Sequence, residues 1–156
     1  MKPMRPLTTI VLAGVWLGGL SACSSALLNA PVSKRADGWV VTLSQLKDGP
    51  NEYVGEVATM RPGKDERYIW AVLTVRNEAA EEQTFSYDAC TLGDKSQATQ
   101  PVVVDRNEEL PSTADREEAF GNGQERTRKL VYRYPEDQRP TRMACGTIVL
   151  PIRAPR

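Results

Sequence analysis

Apolar and polar positions alternate with a period of two along most of this chain, and the clearest case runs from Tyr68 to Arg76. Tyr68, Trp70, Val72 and Thr74 fall on one face, and Ile69, Ala71, Leu73 and Val75 on the other. Bulk on both faces marks a strand covered on both sides, so this segment is predicted to be the central strand of the core. An earlier strand is predicted from Trp39 to Leu43, where β-branched and aromatic residues cluster and Trp39, Val41 and Leu43 share a side. Lys47-Asp48-Gly49-Pro50-Asn51 ends it, a weaker segment runs from Tyr53 to Thr59, and Arg61-Pro62-Gly63-Lys64 reads as a turn. Beyond the polar stretch Asn77 to Glu82, Thr84-Phe85-Ser86-Tyr87 reads as a strand returning in a hairpin with the central one.

The second half of the chain continues in the same way. Pro101-Val102-Val103-Val104 is a strand candidate. Between Arg126 and Tyr134, Leu130, Tyr132 and Tyr134 share one face, while Lys129, Val131 and Arg133 lie on a face expected to be mostly solvated. A last strand is predicted from Met143 to Leu150, with Cys145, Thr147 and Val149 on one side. The charged stretch from Asp105 to Phe120 interrupts this pattern, with one short helical turn expected to start at Ser112, three residues before Asp115. Six to eight short strands separated by Gly, Pro, Asn and Asp turns, with no sustained helical period, predict an all-β fold: a small antiparallel sandwich. Trp70, Phe85, Tyr132 and Tyr134 are expected to fill its core.

The N-terminus follows a different pattern. Lys2 and Arg5 precede an uncharged run from Leu7 to Leu20, and small residues lead into Cys23. This is the layout of a secretory signal, and the run is shorter than the ~20 apolar residues of a comfortable membrane span. The segment Leu20-Ser21-Ala22-Cys23 resembles a bacterial lipobox. That resemblance implies cleavage after residue 22 and acylation of Cys23 with palmitate-type chains, which places the mature protein in the cell envelope as a lipid-anchored membrane protein. Ser24 stands where Asp would imply retention at the inner membrane, so the expected site is the outer membrane, facing the periplasm. Residues 23–36 then read as a tether that lets a domain of residues 37–156 stand off the bilayer. Leu27 and Leu28 are left with two readings, packed on the domain or resting near the lipid.

Composition narrows the chemistry. The chain carries 20 Lys and Arg, two of them within the signal, against 20 Asp and Glu, a balance that offers nothing to nucleic acid. There is no histidine, which excludes Ser-His-Asp and Cys-His pairs and any histidine-bearing zinc site. With Cys23 lipidated, Cys90 and Cys145 remain as an even pair in an exported chain, and a structural disulfide is expected. Two free thiols or a redox pair is the rival reading, without the Cys-x-x-Cys spacing to support it.

A broader resemblance rests on Tyr68-Ile69-Trp70-Ala71-Val72-Leu73-Thr74-Val75-Arg76-Asn77, then Phe85, Leu92 and Gly123, and the strand from Leu130 to Pro135-Glu136-Asp137. These residues resemble the telokin-like, immunoglobulin-like domain of many small bacterial lipoproteins and secreted proteins. The resemblance covers about Trp39 to Leu150 and implies an immunoglobulin-like β-sandwich, with no shared catalytic residues.

Three constellations carry potential chemistry. Asp105-x-Asn107-x-Glu109 resembles the start of a calcium loop, but Leu110 stands where an EF-hand needs Gly and Arg116 where it needs Glu, so a solvated loop and no metal is the stronger reading. Glu108-Glu109 and Glu117-Glu118 are paired acids of the kind that glycan hydrolysis needs, yet nothing sets either pair across a cleft. Tyr53 and Phe120 adjoin charged loops; exposed, they would form part of a protein-binding patch, with packing in the core as the competing reading. The resulting expectation is a non-enzymatic envelope module without cofactors, binding another envelope or secreted protein through Tyr53, Glu108, Glu109, Glu117, Glu118 and Phe120. The sharper alternative is an inhibitor or immunity protein that inserts the acidic loop Glu108 to Glu118 into a cell-wall hydrolase. A structural part of an envelope assembly is the third.

Overall fold

Thirteen strands build the described part of the chain, residues 25–156 of a computed structural model. Around the central strand β5 (Glu66–Asn77) a five-stranded antiparallel sheet forms in the order β1-β2-β5-β11-β9. Its other members are β1 (Val32–Ala36), β2 (Trp39–Asp48), β9 (Val103–Asp105) and β11 (Glu125–Pro135). Opposite it lies a four-stranded sheet, β13-β12-β7-β8, made of β7 (Cys90–Gly93), β8 (Ala98–Thr99), β12 (Arg142–Cys145) and β13 (Ile148–Pro151). Two short ribbons complete the fold: β6 (Gln83–Ser86) with β10 (Glu117–Phe120), and β3 (Tyr53–Val54) with β4 (Thr59–Met60). The chain is all-β, an antiparallel sandwich, as its alternating pattern predicts.

Burial explains the central position of β5. Ile69, Ala71, Leu73 and Val75 are fully buried and meet Leu92, Met143, Ile148 and Leu150 of the facing sheet, with Tyr132, Tyr134 and Phe120 in the same cluster. The other face of β5 is covered too, by a second cluster in which Tyr53 packs with Tyr68, Val103 and Val131, flanked by Trp70 and Met60. The β3–β4 hairpin therefore lies on the outside of the large sheet. It is the reason that Val131 is buried on a face expected to be solvated, and it puts Trp70 outside the sandwich rather than within it.

The disulfide joins Cys90 to Cys145, which stand directly opposite each other in the β7–β12 ladder. Tyr132 donates its hydroxyl to the Cys90 carbonyl at 2.7 Å, so the large sheet is also tied to this point.

Four further expectations are corrected. Residues 25–36 are part of the domain rather than a tether: Ala26 bridges to Lys47, Leu27 and Leu28 are buried, and β1 pairs with β2 through a turn at Asp37-Gly38. Both turn residues have positive φ, 54° and 79°, the twist that suits a two-residue hairpin. β6 forms no hairpin with β5, because the buried Asn77 side chain donates to the carbonyls of Glu81 and Phe120 and turns the chain out of the sheet towards β10. The segment 143–150 is two strands, folded back at Gly146-Thr147, with Gly146 at φ 59°. The stretch from Ser112 contains no helical turn; Thr113 bridges to Asp105 instead and the chain continues into β10.

Candidate functional site

Asp105 is fully buried at the end of β9, and four donors converge on its carboxylate. The Tyr53 hydroxyl donates to Oδ2 at 2.6 Å, and the backbone amides of Asn107 and Ser112 donate at 2.8 and 3.2 Å. Lys129 Nζ lies 3.4 Å from Oδ1 and 4.6 Å from the Trp70 ring centre. A carboxylate is tolerated at this depth because its oxygens are matched by donors and a cation. Those donors use both oxygens, so the Asp105-x-Asn107-x-Glu109 spacing serves a turn. Burial and the Asp105 carboxylate together push the Tyr53 phenol well above its ordinary range.

The consequence is a loop clamped at its base. Arg106 N donates to Ser112 O at 2.7 Å and Ala114 N to Val104 O at 2.9 Å, closing both ends. Asn107 takes φ 60°, a left-handed conformation that Asn accepts more readily than most residues. The tip, Glu108-Glu109-Leu110-Pro111, is exposed, and Leu110 presents 76% of its surface to solvent. Beside the base of this loop lies the β3–β4 hairpin, whose tip residue Val57 is 97% exposed. Between loop and hairpin is an open depression of about 170 Å³, lined by Tyr53, Val57, Met60, Val103, Thr113 and Arg116. One exposed leucine is unremarkable on a protein surface. Val57 lines this depression and Leu110 is exposed on the loop whose base, at Thr113 and Arg116, lines it too, so exposed aliphatic surface lies on both segments.

The sequence-derived residues divide sharply. Glu108, Glu109 and Glu117 are exposed, and Tyr53 lies beneath the site, positioning it. Tyr53 and Phe120 are corrected as contact residues: Tyr53 is 4% exposed and Phe120 fully buried. Phe120 packs edge-on to Trp39 and Phe85, with centroids 5.4 and 6.4 Å apart. Glu118 is corrected too, since strand β10 turns it inward. It accepts hydrogen bonds from the Tyr87 hydroxyl at 2.8 Å and from Arg128 at 2.6 and 3.1 Å. Adjacent acids in a strand point to opposite faces, so Glu117 and Glu118 do not act as a pair. The residues that sequence reasoning missed are Leu110 and Val57. Their only sequence signal is an aliphatic residue in a polar, Pro- or Gly-bounded run.

Glu118 gives a pH prediction. Burial opposes its ionisation, but the hydrogen bonds from Arg128 and Tyr87 outweigh this and hold the carboxyl below its ordinary range. A group whose pKa is depressed on folding contributes stability above its unfolded pKa, and that contribution is lost as pH falls through the folded value. Acid titration of stability, followed by urea midpoints from pH 7 downward, should therefore fall less steeply below about pH 4.5 in Glu118→Gln than in the parent.

No family model matches the chain, and no curated protein matches it. A solved structure does. The fold is similar to that of a functionally unknown protein from Listeria monocytogenes EGD-e. The two share 12% identity at a TM-score of 0.55, over 84% of this chain and 86% of that one. At that identity the likeness concerns the sandwich alone.

Proposed function

We propose that this chain is a lipid-anchored protein of the bacterial cell envelope that works by binding another protein and catalyses no reaction. Residues 1–22 are read as the signal and Cys23 as the lipidated N-terminus; both lie outside the described residues. The anchor is supported by the lipobox resemblance, and the telokin-like resemblance fits an envelope setting. The observation that carries the binding role is the clamped loop presenting Leu110. A loop already fixed by Asp105 loses little further conformational freedom on binding, which is the main cost that flexible loops face in recognition.

Glu108 and Glu109 beside Leu110 favour a partner with an apolar pocket and a basic rim, because acidic groups at an interface edge steer and orient such a partner. A cell-wall hydrolase with a basic cleft meets that description, which supports the inhibitor or immunity reading over a purely structural role.

Leu110→Asp is the expected loss-of-binding variant. It leaves the core untouched, so its melting temperature should match the parent's, while capture of the partner from solubilised envelopes should fall at least about tenfold, the range in which interface anchors act. Equal capture by the variant would refute the role given to this loop. Inhibition of a lytic activity at one-to-one stoichiometry would establish the inhibitor reading; a stable complex without inhibition would favour the assembly reading.

A further inference from the structure

Cys23 stands two positions before Ser25, which is already hydrogen-bonded to the sheet at Asp48. Resting on the lipidation of Cys23, we propose that the domain has no stand-off and lies against the bilayer. Its contact face is the end where the N-terminal strand extension, the loop between β11 and β12 and the C-terminal tail converge.

Reach sets the distance. Ser25 is paired into the sheet: its carbonyl accepts the Asp48 amide at 3.2 Å, and Asp48 stands opposite Ile69 on β5. Two residues span at most about 7 Å of extended chain. Beyond Ile69 the sheet continues to Glu66, three residues and about 10 Å further, and the turn at 61–65 lies beyond that. A cysteine carrying acyl chains sits at the depth of the lipid headgroups. The end of the sheet thus extends as far as, or further than, the tether can lower the anchor. The domain cannot hang clear of the surface to which Cys23 is fixed.

The side chains at this end suit headgroup phosphates. Arg139 and Arg153 are exposed, and neither pairs with a carboxylate among the described residues. Arg153 is held beside the N-terminal segment by its carbonyl, which accepts the Asn29 amide at 2.9 Å. Between them opens a cavity of about 230 Å³ lined by Leu27, Arg139, Pro140, Thr141, Ile152 and Ala154. The nearby acids are Asp48, which is paired with Arg67 at 2.9 Å, the exposed Glu136 and Asp137 on the same loop as Arg139, and the exposed Asp65 and Glu66 across from Glu136 and Pro135. Arginine binds phosphate through paired N–H groups, so the loop contacts lipid through Arg139 while its carboxylates remain in water. Edge strand β9 runs from Val103, opposite Val131, to Asp105, opposite Lys129, so the chain enters the Leu110 loop heading away from the proposed contact end.

The test uses the full-length lipidated protein in vesicles of phosphatidylethanolamine and phosphatidylglycerol. A photo-reactive benzoylphenylalanine is placed at Arg139 in one variant and at Glu82, at the opposite end, in another. Lipid adducts at position 139 should exceed those at 82 by about tenfold or more, given the millimolar effective concentrations that short tethers create. A second variant inserts about twelve Gly and Ser residues between Ser24 and Ser25, a flexible span that should bring position 139 down to the level of 82. Equal adducts at the two positions would overturn the docking, and adducts at 139 that the insertion leaves unchanged would overturn the role given to the short spacing, while acylated Cys23 in the intact mass leaves the anchor standing. An intact mass without acyl chains would overturn both together.

Discussion

Asp105→Ala should unfold the base of the Leu110 loop and cost the whole domain about 3–5 kcal/mol, the range for removing one partner of a buried charge pair. The substitution leaves Lys129, whose side chain is only 12% exposed, without its counter-charge, and strips the Tyr53 hydroxyl of its acceptor. It also releases the Asn107 and Ser112 amides that close the loop. Thermal melting should show a midpoint about 10 °C or more below the parent, since each kcal/mol is worth a few degrees in a domain of this size. Limited proteolysis should cut first between Arg106 and Arg116. Asp105→Asn keeps one acceptor oxygen but sets an NH2 where the other accepted, so it loses the attraction to Lys129 together with the hydrogen bonds of one oxygen and should also destabilise, by less than Asp105→Ala. A Glu109→Ala control, altered at the exposed tip, should melt with the parent. An Asp105→Ala protein that melts with the parent would show that the clamp does not hold the loop.

Removing the disulfide, by reduction or by replacing Cys90 and Cys145 together with Ala, is the second large effect. The bond closes a separation of 55 residues, for which chain entropy alone gives roughly 4 kcal/mol of stabilisation. With a urea slope of about 2 kcal/mol/M, the unfolding midpoint should fall by about 2 M. The strands should still pair, because Leu92 and Met143 are fully buried beside the cysteines and keep their contacts. Loss of stability with retained sheet signal in circular dichroism is thus the expected result. An unchanged midpoint in reductant would mean that the bond adds nothing to the sheet that holds it.

Much of the sandwich was legible because its strands are buried in ways that leave a period in the sequence. β5 carries large apolar residues on both faces and is covered on both. The failures have equally local causes. Across Gly146-Thr147 the alternation continues without a visible break, yet a two-residue turn reverses the chain, so Cys145 shares the core with Ile148 and Leu150 rather than facing away from them. The turn at Asp37-Gly38 is a strong hairpin signal, but Ser33-Lys34-Arg35 before it is polar, because β1 is an edge strand whose side chains face water. Phe120 lies among charged residues in the sequence and within an aromatic cluster with Trp39 and Phe85 in space, a contact that only tertiary pairing of β10 with β6 creates.

The candidate site was legible in part. Its position in the charged stretch from Asp105 to Phe120 was evident from the interrupted pattern. Its organisation was not, because it depends on one buried carboxylate taking donors from Tyr53, 52 residues earlier, and from Lys129, its neighbour across the ladder. The acids that draw the eye in the sequence then separate, with Glu118 turned inward to Arg128 and Glu109 left at the tip.

Photo-cross-linking in intact envelopes shows most directly whether an anchored module binds through the Leu110 loop. The lipidated protein would carry benzoylphenylalanine at Leu110, with a second preparation carrying it at Glu82. One dominant protein adduct from position 110, absent from position 82 and lost when Asp105→Ala is added, is the expected result. The same adducts from both positions, or none from position 110 in protein whose Cys23 is shown to be acylated, would contradict it.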